Sequence, residues 1–118
     1  MAKALTEGMK PSITSDRIAW AWIALRIIRY HNLRTLRDGE PGAEASVNKL
    51  FWSTWHAELG SLAMDVLGMD ATLQDAPMQW MFLFSRADTI YAGASEIQRN
   101  IIGERGLGLP PEPRPAPA

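Results

Sequence analysis

Between Ala43 and Leu67 the apolar positions return every third or fourth residue. At about 100° per residue, Phe51, Trp52, Trp55, Leu59, Leu62 and Val66 fall in one stripe, the signature of an amphipathic helix. Lys49, His56, Glu58 and Asp65 lie off it, so the pattern predicts a helix with one packed side that stops at Gly68. The preceding segment behaves differently. A helix beginning between Pro11 and Asp16, with Ser12, Thr14 and Ser15 as caps, runs to about Arg37. Its Ile18, Trp20, Trp22, Ile23, Leu25, Ile27 and Ile28 spread around nearly the whole circumference. Such a helix needs neighbours on every side, and the three other helices of this chain are too few to enclose it. The sequence therefore predicts missing neighbours.

Asp38, Gly39, Glu40, Pro41 and Gly42 break the chain between these two helices. Met69 to Ala76 reads as a polar loop, and Pro77 opens a third, apolar helix through about Ile90 that Gly93 breaks. Ser95 and Gln98 have capping-box spacing, starting a fourth helix through Ile97, Ile101 and Ile102 to Gly106. With no repeat and no alternating strand pattern, the fold expected is an all-α, up-down bundle of four helices over 11–109. A flexible N-terminus at 1–10 precedes it and a proline-rich tail at 110–118 follows.

Composition narrows the function. The 118 residues carry 12 basic and 13 acidic side chains, so no general basic field exists for nucleic acid or an anionic membrane. The absence of cysteine removes disulfides and thiolate chemistry and fits a cytoplasmic setting. Neither a signal peptide nor a membrane span is read. Five tryptophans in so short a chain demand burial in a core or an interface.

Candidate chemistry is sparse. His31 and His56 lie on different helices without a carboxylate at ligand spacing, so structural roles outweigh a metal or nucleophile site. Arg17, Arg26, Arg29, Arg34 and Arg37 suit phosphate contact in principle, but such arginines more often pair with carboxylates. Gly106 and Gly108 form no phosphate loop. The run from Ile90 to Asn100 is more informative, a glycine turn feeding a helix start, although on its residues alone an ordinary helix start is the better reading.

The run IYAGASEIQRNIIGERGLGLP closely resembles the final helix of flavin-dependent acyl-CoA dehydrogenases. ALRIIRYHNLRTL, SVNKLFWSTWHAELGSLAMDVLG and FLFSRADTI resemble the preceding helices of that family's carboxy-terminal bundle, in the same order, so the likeness covers about Pro11 to Pro110. Family members are several times longer, with an amino-terminal helical domain and a middle β-domain. Those domains, and the bundle's first helix, have no counterpart among these residues, in keeping with the unmet neighbours of the first helix.

The resemblance implies α,β-desaturation of an acyl-CoA, in which a carboxylate removes the α-proton and FAD takes the β-hydrogen as hydride. In one branch the base is a Glu between the Tyr and the Gly of the turn, a position held here by Ala92; other branches carry it on the bundle's first helix. No catalytic residue is therefore assigned, and no metal. Gly93, Ala94 and Glu96 match positions that help hold the flavin's dinucleotide part, with Ala94 replacing the usual Thr and Glu96 retained. The family's glycine-rich stretch, which packs near a neighbouring subunit's flavin, is matched only by Leu67 and Gly68. The implied partners are a homo-oligomer or a full-length acyl-CoA dehydrogenase-like subunit, with acyl-CoA bound only when the missing domains are present. The leading expectation is a carboxy-terminal domain, fragment or subunit inactive alone. The alternative is a non-catalytic oligomerisation module derived from the fold.

Overall fold

Pro11 opens the first helix, where its missing N–H costs nothing and its fixed φ is already helical. This helix, α1, spans Pro11–Asp38 in the computed structural model, which describes residues 11–38, 42–72, 77–111 and 113. The second, α2, spans Ala43–Leu67 and ends at Gly68, whose φ of 57° suits a residue without Cβ and whose N–H donates to the Met64 carbonyl. A 3-10 helix follows over Gly68–Thr72, then α3 over Pro77–Ala87 and α4 over Ser95–Ile101, continued as a π-helix over Ile102–Gly106. The described residues contain no strand, so the all-α, four-helix architecture stands. Also among them, no helix is long and apolar enough to cross a membrane. The expected flexible segment 1–10, and most of the tail from 110, lie outside the described residues.

At the centre, α2 packs against α1, α3, α4 and the π-helix. Its buried residues are Ser46, Ser53, Gly60 and Leu62. Three of these recur every seventh position, so much of the buried face is a stripe of small residues, different from the apolar stripe that periodicity picks out. Small side chains let the helices approach closely. A Cβ on Gly60 would stand 3.1 Å from the Phe82 Cα and 2.9 Å from the Ser85 hydroxyl. The apolar stripe turns toward α1, where the Trp55 indole N–H donates to the Ala21 carbonyl at 2.9 Å. There Trp20, Ala24, Ile27, Phe51, Trp55 and Leu59 line a groove of about 550 Å³.

Only Ala24, Ile28, Leu62 and Ala71 form buried apolar core among the described residues. Trp20, Trp22 and Trp80 remain 65%, 61% and 66% exposed. Two α1 positions are covered while most of its apolar circumference faces outward, as the all-round pattern predicts for a helix short of neighbours.

Three local expectations change. The first residues of the Met69–Ala76 loop belong to the 3-10 helix, whose Ala71 is buried and whose Thr72 hydroxyl donates to the Met69 carbonyl at 2.7 Å; positions 73–76 lie outside the described residues. The third helix ends at Ala87, short of Ile90: the N–H groups of Ile90 and Tyr91 both donate to the Ala87 carbonyl, at 2.9 and 3.0 Å, closing a turn. No capping box forms at Ser95. Ala94 takes the cap position, which moves Gln98 one residue too far along, and Gln98 instead donates its amide to the preceding turn.

Candidate functional site

The turn between α3 and α4 holds the sequence-predicted positions Ala92, Gly93 and Ala94. Ala92 has φ 54° and Gly93 φ 92°, so two successive residues lie in left-handed space. For alanine this costs about 1–2 kcal/mol, and such strain persists only where surroundings over-determine the backbone. A Cβ on Gly93 would stand 2.5 Å from the Gln98 amide nitrogen and would sit at φ 92°, so the position favours glycine.

Three groups supply that over-determination. Gln98, almost fully buried, donates its amide to the Ala92 carbonyl at 2.9 Å. The Lys49 ammonium donates to the Gly93 carbonyl at 2.7 Å. Asp88, with 0% of its surface exposed, accepts a hydrogen bond from the Tyr91 hydroxyl at 2.5 Å on one carboxylate oxygen and bonds His56 Nδ1 with the other. The His56 ring is stacked on Trp52 and Trp55, with centroids 5.7 and 6.2 Å away. The Tyr91 phenol is raised above its ordinary 10.0, first because it donates to Asp88, then through desolvation and the Asp88 charge, each of which favours the protonated form.

Sequence reasoning missed Lys49, His56 and Asp88. Lys49 and His56 stand off the apolar stripe and share the α2 face of Ser53, which the tertiary structure turns inward against this turn. His56 had no visible carboxylate because its partner lies 32 residues away, inside a stretch that reads as helix. Three of the α1 arginines have partners within the chain: Arg17 pairs with Asp65 of α2 at 2.6 Å, Arg26 donates to the Tyr30 hydroxyl at 2.8 Å, and Arg34 lies 3.4 Å from His31 Nδ1.

Among the described residues no group of three His, Asp or Glu stands where a metal ion would need them. For a dinucleotide the fit is partial. Glu96 is 78% exposed, with Arg99 only at 3.9 Å, so its carboxylate is open to accept hydroxyl donors. Ala94 offers no hydroxyl, and the carbonyls of Ala92 and Gly93 are already engaged.

Comparison with known proteins agrees with this architecture. The acyl-CoA dehydrogenase C-terminal domain family matches residues 9–107. Acyl-CoA dehydrogenase IpdE1 of Mycolicibacterium smegmatis is 50% identical over 101 residues, 82% of this chain and 26% of the relative. Its namesake in Mycobacterium tuberculosis is 47% identical over 114 residues, 91% of this chain and 29% of the relative. No solved structure matches. The chain thus spans less than a third of the curated relatives it matches, and it belongs to the acyl-CoA dehydrogenase C-terminal domain family.

Proposed function

We propose that this chain is the carboxy-terminal helical part of a flavin-dependent acyl-CoA dehydrogenase that desaturates an acyl-CoA between its α and β carbons and is inactive alone. The observation that carries the reading is the unmet apolar surface of α1 in a chain matching only 26% and 29% of two proteins named acyl-CoA dehydrogenase. A surface of that kind is what a domain presents when its neighbours lie elsewhere. FAD, when bound, supplies the hydride acceptor. Of this chain's residues, Glu96 accepts hydrogen bonds from the dinucleotide and Gly93, without a side chain, lets it approach the turn. Proton abstraction does not fall to Ala92, whose methyl group has no basic atom, so the base comes from a segment without a counterpart among these residues, as in the branches that carry it on the bundle's first helix. One domain cannot bring acyl-CoA, flavin and base together, and the rate advantage of proximity is lost without that arrangement.

One observation favours the second reading, a non-catalytic oligomerisation module in the cytoplasm that docks on itself or on a full-length relative. Ala92 and Ala94 both lack the functional groups of the family pattern, while the exposed Trp20, Trp22 and Trp80 surface remains. Sedimentation of the purified chain with and without FAD, followed at flavin wavelengths, separates the two. Flavin co-sedimenting with a defined oligomer is expected on the first reading. A flavin-free oligomer favours the second, and desaturation of acyl-CoA by this chain alone would overturn both.

A further inference from the structure

Among the described residues Asp88 is the one ionisable side chain that is buried, with no exposed surface, and the family resemblance assigns it no role. It bonds one residue of α2, His56, and one residue of the turn, Tyr91. Seven residues before His56 on the same α2 face, Lys49 reaches the Gly93 carbonyl at 2.7 Å. These two α2 side chains thus bracket the turn in which Ala92 is held at φ 54°. A carboxylate gathers two donors better than any neutral side chain, because charge-assisted hydrogen bonds are the strong ones. Buried between the turn and α2, it converts the register of a rigid helix into the backbone path of Tyr91 to Ala94.

We propose that Asp88 is a positioning residue: by accepting hydrogen bonds from His56 and Tyr91 it locks the Tyr91–Ala94 turn to α2 in the one geometry that presents Gly93 and Glu96 to a dinucleotide. The cofactor half of this inference rests on the reading of the turn given above; the locking half does not. Of the two residues, His56 anchors Asp88 through Nδ1 alone. An asparagine amide nitrogen occupies nearly the place of that ring nitrogen, whereas leucine offers no donor.

The test uses the full chain, with amide hydrogen exchange read residue by residue in Asp88→Asn, His56→Leu and His56→Asn. In Asp88→Asn and His56→Leu the hydrogen-bonded amides of the turn, those of Ile90, Tyr91 and Ser95, are expected to exchange at least tenfold faster while those in the middle of α2 keep their rates. His56→Asn is expected to restore slow exchange in the turn. Acceleration spread evenly over all helices in both damaging variants, or a His56→Asn variant no better than His56→Leu, would overturn the role of Asp88. FAD added to the same proteins is expected to bind the parent chain at least tenfold more tightly than His56→Leu. No FAD binding by the parent, together with turn-specific acceleration in the variants, would overturn the cofactor reading and leave the lock intact.

Discussion

Replacing Gly60 with alanine tests whether close approach of α2 and α3 sets this fold. At an exposed mid-helix site the change gains about 1 kcal/mol from helix propensity. Here the new methyl would lie 3.1 and 3.7 Å from the Phe82 Cα and Cβ and 2.9 Å from the Ser85 hydroxyl. Ser85 is fully buried and its hydroxyl donates to the Phe82 carbonyl at 2.8 Å, so rotating it away forfeits a bond of about 1 kcal/mol. Parting the helices by a few tenths of an ångström adds an overpacking cost of about 1–2 kcal/mol. The losses exceed the gain, and Gly60→Ala is expected to destabilise by about 1–2 kcal/mol, or roughly 4–8 °C in Tm for a domain this size. Thermal melting by circular dichroism at fixed protein concentration reads it, with Gly60→Leu expected to melt lower still. A Gly60→Ala protein as stable as the parent, or more so, would show that the helices do not depend on this contact.

Other outcomes follow from the same geometry. Trp55→Phe removes the indole bond to the Ala21 carbonyl and is expected to cost about 1 kcal/mol in urea unfolding; an unchanged midpoint would refute the tie between α1 and α2. Ala92→Gly relieves the left-handed strain, partly offset by greater unfolded-state freedom, for a net gain of about 0.5–1 kcal/mol, whereas Ala92→Val is expected to lose stability, and a valine variant as stable as the parent would refute the strain. With Tyr30→Phe as background, Tyr91 is expected to ionise above 10.0 in a phenolate absorbance titration and Asp88→Asn to bring it back down. Because the folded phenol holds its proton more tightly than the unfolded one, its stabilisation is complete below about pH 10 and vanishes as pH rises through the shifted value. A titration that Asp88→Asn does not move would sink that assignment.

The four helices and the outward-facing apolar circumference of α1 were legible in the sequence, because propensity, glycine and proline punctuation and the 3.6-residue period are local properties. The run from Tyr91 to Glu96 was legible too, through its likeness to a family pattern. What sequence periodicity assigned to the solvent face of α2, Lys49 and His56, the tertiary structure turned inward. Periodicity ranks positions by hydrophobicity and is blind to a stripe of small residues such as Ser46, Ser53 and Gly60, which buries itself by letting helices come close. Asp88 likewise reads as an ordinary helix-end carboxylate until the fold brings His56 to it across 32 residues. Local sequence determines which segments are helical; only their packing decides which polar groups lose their water, and a buried charge has to find its partners there.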